Sequence, residues 1–100
     1  MVHLNWTNQS MTDLKEIADY ISKDSIKYAK ILVKGLKKRT IILKTNPLSG
    51  QKIDFFNDDT IRQLTEGSYI IVYKIINDKR IDILTVHHSA RDLGKRKLDP

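Results

Sequence analysis

The sequence feature that most constrains the fold is a pair of apolar runs joined by a short polar turn. Residues 69–76 (YIIVYKII) and 80–88 (RIDILTVHH) are rich in β-branched and aromatic residues, and Asn77-Asp78-Lys79 lies between them. This pattern predicts a β-hairpin. Because a hairpin buries its apolar face only against another layer, the rest of the chain must supply that layer.

Two amphipathic helices are predicted ahead of the hairpin. In the first, Thr7 is the N-cap, Asp13 falls off the apolar stripe, and the stripe consists of Met11, Leu14, Ile17, Ala18 and Ile21. In the second, Ser25 is the N-cap and the helix stops at Asn46-Pro47. Its stripe consists of Ala29, Leu32, Val33, Leu36 and Leu43. The β-branched residues Thr40-Ile41-Ile42 weaken the helical pattern locally.

Short strands are predicted at residues 3–6 (HLNW) and 61–64 (IRQL), with a loop over residues 48–60. Trp6, where strand meets helix, is expected to anchor the core. The predicted fold class is therefore α+β, in the order β-α-α-β-β-β, with a helical hairpin packed on a mainly antiparallel sheet. A chain of 100 residues has the size of one domain.

The net charge of +6 is concentrated in the second helix. Residues 23–44 carry eight cations against Asp24, so that segment alone has a charge of 8 − 1 = +7. The candidates for partner binding on this face are Lys27, Lys30, Lys34, Lys37 and Lys38. Such a face attracts phosphate backbones or an acidic protein, and it can also serve only to solvate the helix.

Several classes of site are excluded or disfavoured by composition. The chain has no cysteine, which excludes a disulfide framework, a cysteine zinc module and a thiol nucleophile. Adjacent residues His87 and His88 point to opposite faces of a strand, so no metal site is expected, and no phosphate-binding glycine loop or cofactor is expected. No window approaches the roughly 18 apolar residues of a membrane span, so the expected location is the cytoplasm, with no membrane contact.

General acid–base cleavage of RNA needs a base, a proton donor and cations on the phosphate. The eligible residues around the predicted sheet are His88, Arg91, Arg62, Tyr69 and Tyr73. The two tyrosines share a strand face with Ile71 and Ile75, which favours packing over catalysis for both.

An ordered set of short motifs runs through the chain. In the first half these are Trp6-Thr7, Asp13-Leu14, Ile17-Ala18-Asp19-Tyr20-Ile21 and Asn46-Pro47-Leu48-Ser49-Gly50; in the second half Arg62-Gln63-Leu64, Gly67-Ser68-Tyr69, Ile71-Val72-Tyr73-Lys74-Ile75, Ile81-Asp82-Ile83-Leu84-Thr85-Val86 and His88-Ser89-Ala90-Arg91-Asp92-Leu93. This set resembles the RelE/ParE toxin superfamily over residues 2–93. We therefore expect residues 1–93 to form a single toxin domain and residues 94–100 a charged C-terminal tail.

The resemblance implies the toxin of a bacterial type II toxin–antitoxin pair, neutralised by a cognate antitoxin with which it forms a hetero-oligomer. RelE-like members cleave mRNA on the ribosome, whereas ParE-like members inhibit DNA gyrase. The cationic positions of RelE-like members fall on Ile61, Gln63, Ile70 and Ser89, none of which is charged. Since these cations stabilise the charge that develops on the phosphate, the resemblance favours the ParE-like branch, plasmid stabilisation and growth inhibition by protein binding.

Two alternatives remain open at this level. The first is a RelE-like mRNA interferase in which His88 transfers the proton while Arg62 and Arg91 hold the phosphate. The second is a nucleic-acid-binding module without catalysis, which would use the lysine face on the second helix and bind less tightly as salt rises. In the ParE-like interpretation, Tyr69, Tyr73, Arg91 and the lysines are candidates for contact with the target or partner.

Overall fold

The computed structural model describes residues 2–90, which fold into two helices laid on one face of a five-stranded sheet. The strands are β1 (His3–Trp6), β2 (Gln51–Lys52), β3 (Ile61–Glu66), β4 (Tyr69–Asn77) and β5 (Arg80–His88), and the helices are α1 (Asn8–Ser22) and α2 (Ile26–Arg39). The sheet order is β1-β5-β4-β3-β2, with β1 parallel to β5 and the other pairs antiparallel. The predicted α+β class is confirmed.

Both predicted helix N-caps are confirmed. The Thr7 hydroxyl accepts a hydrogen bond from Ser10 N at 3.2 Å and donates one to the Ile83 carbonyl at 2.7 Å, which fixes the start of α1 to β5. The Ser25 hydroxyl accepts from Tyr28 N at 3.0 Å. Because only the residues from Lys23 to Ser25 separate α1 from α2, the two helices form a hairpin.

The second helix is shorter than its apolar pattern predicts. It ends at Arg39, and residues Thr40–Lys44 continue as a 3-10 helix. The Thr40 hydroxyl bonds the Lys37 carbonyl at 2.7 Å, and the β-branched residues that follow lose side-chain freedom in an α-helix. Leu43 is nevertheless fully buried, so its prediction as a core residue is confirmed although its helical setting is wrong.

The main core lies between the helices and the sheet. Its buried members include Leu14, Leu36, Leu43, Leu64, Ile71, Tyr73, Ile81, Ile83 and Val86, and Trp6 packs against them. A smaller cluster covers the opposite face and contains Ile53, Ile61 and Val72. In α1 the prediction is wrong at two positions: Met11 is 46% exposed, and Asp13 is only 2% exposed.

One residue of β5 interrupts its pairing with β4. Val72 pairs with Thr85 and Tyr73 pairs with Ile83, so Leu84 is an extra residue that forms a β-bulge. Before the bulge, Ile81 and Ile83 face the helices; after it, Val86 does. His88, opposite Tyr69, therefore lies on the helix side of the sheet.

Residues 48–60, predicted as loop, contain additional order. The short strand β2 pairs with β3, and one-turn 3-10 helices cover Pro47–Ser49 and Asp54–Phe56. Asn57 then adopts a left-handed conformation, with φ of 49°. A two-residue strand is too short for any alternation to reveal it in the sequence.

Candidate functional site

The lysines singled out on α2 are all exposed. None of these five side chains (Lys27, Lys30, Lys34, Lys37 and Lys38) forms an ion pair with another residue in the range 2–90. By contrast, Arg39 at the end of α2 lies 3.8 Å from Glu66 and donates to the Thr65 carbonyl at 3.1 Å. The lysine face is therefore a surface of uncompensated positive charge within the described chain.

Part of this face borders a groove between α2 and the edge strand β1. The groove has a volume of about 910 Å³. We call it the basic groove and define it by Leu4, Trp6, Lys34, Lys37, Lys38 and Lys44. Its apolar wall comes from β1 and its cationic wall from α2 and the 3-10 helix that follows. This combination suits an anionic partner that also offers apolar contacts.

A second cavity, of about 530 Å³, lies where α1 meets the ends of β4 and β5. Tyr69 and His88 stand edge to face in its wall, with ring centres 5.4 Å apart, and Glu16 and Tyr20 of α1 line the opposite side. Burial raises the pKa of Tyr69, and the neighbouring Tyr28 and Tyr20 raise it further. His88 is exposed, and its Nδ1 accepts a hydrogen bond from Ala90 N at 3.1 Å.

The structure does not bring His88 and Arg62 together. His88 pairs with Tyr69 and Arg62 pairs with Tyr73, so they lie four residues apart along β4, about 13 Å, on the two strands that flank it. The Arg62 guanidinium is also already hydrogen-bonded within the protein. It donates to the Gly50 carbonyl at 2.9 Å and to the Asp59 carbonyl at 3.1 Å. Arg91, the third member of the predicted set, lies outside the described residues.

Tyr73 is fully buried, unlike the other candidate tyrosine. Its hydroxyl donates to the Pro47 carbonyl at 2.7 Å and accepts from Gly50 N at 3.0 Å. Burial raises the Tyr73 pKa, whereas the Gly50 amide and Arg62 act in the opposite direction. Tyr73 therefore has no surface to offer a partner, and of the two tyrosines only Tyr69 remains a candidate for partner contact.

The positions where RelE-like cations would stand lie mainly on the face of the sheet away from the helices. Ile61 belongs to the small cluster on that face and is 4% exposed, and Ile70 packs against the same cluster. Gln63, two residues after Ile61 on β3, faces the same side of the sheet and is half-buried. Ser89 lies beyond β5 and donates its amide to the Ser68 carbonyl at 2.7 Å. None of these four side chains carries a charge, so they cannot neutralise a phosphate in the way that those cations would.

Asp13 is a residue whose importance the helical pattern missed. Its carboxylate accepts hydrogen bonds from the Thr85 hydroxyl and from Val86 N, the latter at 3.0 Å, and its other oxygen accepts from Gln9 at 2.8 Å. It thereby holds α1 against β5 directly after the bulge. The signal available in the sequence was the motif Asp13-Leu14, in which the aspartate accompanies a core residue.

Within residues 2–90 there is no group of three metal-ligating side chains, and no helix in that range has the length and apolarity to cross a bilayer. A further cavity, of about 440 Å³, lies between α1 and α2 and is lined by Lys30, Lys34 and Lys37 together with apolar residues of both helices.

Comparison with known proteins gives the following matches. The family model for the ParE toxin of the type II toxin–antitoxin system parDE matches residues 4–93. A solved structure described as the chromosomal ParDE TA system from P. aeruginosa is 22% identical, with a TM-score of 0.74, over 88% of this chain and 96% of that one. No curated protein sequence gives a significant match.

Proposed function

Because the chain belongs to the ParE toxin family of type II toxin–antitoxin systems, we propose that it inhibits DNA gyrase by binding it and is neutralised by a cognate antitoxin. In this proposal the toxin is not a nuclease and works in the cytoplasm. It forms a hetero-oligomer with the antitoxin, and release from that complex causes growth arrest.

The observation that carries the proposal is the position of Arg62. Its guanidinium is bound to the Gly50 and Asp59 carbonyls, and its backbone lies about 13 Å along β4 and two strand spacings, about 9.5 Å, across the sheet from that of His88. A general acid and a phosphate-binding cation must both reach one scissile phosphate. The placement of these two residues supports binding rather than cleavage as the mode of action.

The charge distribution supports an acidic antitoxin. The lysines on α2 have no ionic partner within residues 2–90, and like charges three or four residues apart on a helix repel one another. An acidic segment laid along this face would remove that repulsion and would associate rapidly through electrostatic steering.

One observation favours the alternative function, cleavage of mRNA on the ribosome. His88 is exposed beside a cavity of about 530 Å³, and its Nδ1 is occupied by the Ala90 amide, which leaves Nε2 to exchange a proton. Glu16 and Tyr20 line the same cavity. None of the described residues that line this cavity is a lysine or arginine, so a nuclease built on it would need a phosphate-binding cation from nearby, such as Lys23, whose Nζ lies 5.7 Å from the centre of the Tyr20 ring.

The deciding experiment measures both activities, one with purified toxin and one in cells. Purified toxin, freed of antitoxin, is added at micromolar concentration to a gyrase supercoiling assay, and translated mRNA is mapped by primer extension after induction in a bacterial host. We expect loss of supercoiling and intact mRNA. Full supercoiling activity at micromolar toxin would refute the gyrase proposal, and toxin-dependent cleavage would establish the alternative.

A further inference from the structure

The cavity where α1 meets the ends of β4 and β5 differs in charge from the rest of this basic protein. The chain has a net charge of +6, yet the described residues that line the cavity include Asp13 and Glu16 and neither a lysine nor an arginine. Asp13 is 2% exposed and is hydrogen-bonded to β5. Glu16 is exposed and forms no ion pair within residues 2–90. The cavity therefore presents negative charge to any molecule that enters it.

Aromatic rings form two opposite walls of the same cavity. Tyr69 lies on the sheet side, with the His88 ring edge to face against it at 5.4 Å, and Tyr20 of α1 lies on the other side. Tyr20 is 69% exposed, so much of its ring is free for contact. The Lys23 Nζ lies 5.7 Å from the centre of the Tyr20 ring, within the distance at which the negative face of an aromatic ring attracts a cation.

Aromatic faces next to a carboxylate are suited to binding a cation. The rings and the Glu16 carboxylate attract positive charge, and no cationic side chain in the described lining opposes it. The guanidinium group of arginine fits best, because it is planar, stacks on a ring and donates two parallel hydrogen bonds to a carboxylate. Ile17 and Val86 also line the cavity and offer apolar contact to the stem of such a side chain.

We propose that this cavity binds an arginine side chain of a protein partner, with its guanidinium group between the rings of Tyr20 and Tyr69 and its N–H groups bonded to Glu16. His88 supports the Tyr69 ring from the side and makes no contact with the guanidinium group. The inference goes beyond the proposed function, since it assigns a recognition site for one kind of side chain and does not depend on which protein the toxin inhibits.

The lining disfavours two other kinds of occupant. A phosphate group would meet the charges of Asp13 and Glu16 without a cation in the described lining to neutralise it. An apolar side chain would remove the Glu16 carboxylate from water without supplying a partner, which costs free energy. A lysine ammonium would reach the carboxylate but stacks less well on the rings, because it is compact and more strongly hydrated.

The test uses the full chain, freed of antitoxin, and a short blocked peptide with one arginine flanked by glycines. A second peptide carries citrulline, which has nearly the shape of arginine without its charge. In NMR titrations we expect the arginine peptide to cause saturable shifts at Glu16, Tyr20 and Tyr69, with the signals of Lys52 in the outer strand β2 unchanged. The citrulline peptide should bind about tenfold more weakly, because it loses the cation–π contacts and the ion pair.

The matched variants remove one negative charge from α1 inside or outside the cavity. Glu16→Gln keeps the length of the side chain and should weaken binding of the arginine peptide about tenfold. Asp19→Asn removes the same charge from an exposed position that pairs with Lys15 at 3.3 Å, and it should leave the affinity within about twofold. Equal losses in the two variants, equal affinity for the arginine and citrulline peptides, or no binding overturns the proposal.

The variant Lys23→Gln gives opposite results for a cationic and an anionic ligand. Because the Lys23 ammonium lies beside the Tyr20 ring, its removal should strengthen binding of the arginine peptide by about two- to threefold. The same change would weaken binding of an anion. An oligouridylate that shifts the same signals, binds more tightly than the arginine peptide and loses affinity in Lys23→Gln would assign the cavity to nucleic acid and overturn the proposal.

Two further results identify the source of the cation and keep this inference separate from the proposed function. Methylguanidinium should bind more weakly than the arginine peptide, because it lacks the stem that contacts Ile17 and Val86. Equal affinity would assign the cavity to a small free cation and overturn the proposal. The peptide measurement does not involve gyrase, so a toxin without effect on supercoiling that still binds the arginine peptide through Glu16 would refute the gyrase target and support the proposed cavity.

Discussion

The hydroxyl of Tyr73, in the buried centre of β4, accepts a hydrogen bond from the backbone amide of Gly50 at 3.0 Å. The same hydroxyl donates to the Pro47 carbonyl at 2.7 Å, and Arg62 holds the Gly50 carbonyl at 2.9 Å. The segment from Asn46 to Gly50, for which the sequence predicts only the end of a helix and the start of a loop, is thus fixed to the sheet by side chains of two strands.

Replacing Tyr73→Phe should lower the free energy of unfolding by about 1–3 kcal/mol, because the Gly50 amide and the Pro47 carbonyl both lose a buried partner. Urea denaturation measures the change. Tyr69→Phe is the matched control, since no hydrogen bond of the Tyr69 hydroxyl is found within residues 2–90, and it should change stability by less than about 0.5 kcal/mol. Equal losses in the two variants would contradict the role assigned to Tyr73.

Replacing Gly50→Ala should destabilise the protein by about 1–3 kcal/mol through overpacking. An added Cβ would lie 2.5 Å from the Tyr73 hydroxyl and 2.6 Å from the Gln63 carbonyl oxygen. At Gly35, within α2, the nearest atom would be 3.9 Å away, so Gly35→Ala should stabilise the helix by up to about 1 kcal/mol. Thermal unfolding of both variants checks the opposite signs, and a gain at Gly50 would show that the segment yields to the methyl group.

Replacing Asp13→Asn should cost about 1.5–3 kcal/mol, since the amide group cannot accept at both oxygen positions the bonds from Thr85, Val86 and Gln9. The control is Asp19→Asn, because Asp19 forms only an exposed pair with Lys15 at 3.3 Å and should contribute less than about 0.5 kcal/mol. Chemical denaturation distinguishes them. A small effect at Asp13 would mean that its hydrogen bonds contribute little to holding α1 against β5.

Stability should fall in acid partly through Asp82. Its pKa is lowered below 3.8 chiefly by the hydrogen bond from Arg80, with a further contribution from Asn5, while burial acts in the opposite direction. A carboxyl group whose pKa is lower in the folded state stabilises the fold above the unfolded pKa, and the contribution is lost as pH falls through the folded pKa. The stability difference between wild type and Asp82→Asn should therefore shrink as pH falls from about 6 to 2 in urea titrations. A difference that is constant across this range would exclude the linkage.

Replacing His88→Ala should leave gyrase inhibition intact, because the proposed action needs no proton transfer. Supercoiling assays with matched amounts of folded protein, verified by circular dichroism, provide the measurement. If the wild-type toxin cleaves translated mRNA and the variant does not, His88 is a catalytic residue and the alternative function holds. Exposed and placed at the strand end, His88 can be replaced with little effect on folding.

Features governed by local sequence were predictable. The hairpin of β4 and β5 and the caps at Thr7 and Ser25 follow from residue type and spacing, and the structure has all of them. The end of α2 could not be predicted in the same way. Leu43 is buried, so the apolar pattern continues beyond Arg39 although the backbone changes there to a 3-10 helix. Strand β2 is too short to show any periodicity.

The candidate site was predictable in composition but not in arrangement. The exposed lysines of α2 agree with the sequence pattern, which placed them on a face away from the apolar stripe. The burial of Tyr73 agrees with the packing interpretation, yet its bonds to Gly50 and Pro47 join positions 23 and 26 residues apart in sequence, which no spacing rule relates. The same holds for Asp13 and Val86, 73 residues apart.

The bulge at Leu84 divides β5 into two halves, and the alternation of side chains between the two faces of the sheet is reversed from one half to the other. Even-numbered side chains face away from the helices before it and toward them after it, as the pairs Asp82–Lys74 and His88–Tyr69 show. Point substitutions along the strand cannot exchange the surroundings of His87 and His88, whereas deletion of a single codon at position 84 would rotate both by half a turn. The number of residues in β5, as well as their identity, therefore determines which side chains face the helices. Alignments of relatives should therefore be anchored separately on each side of residue 84.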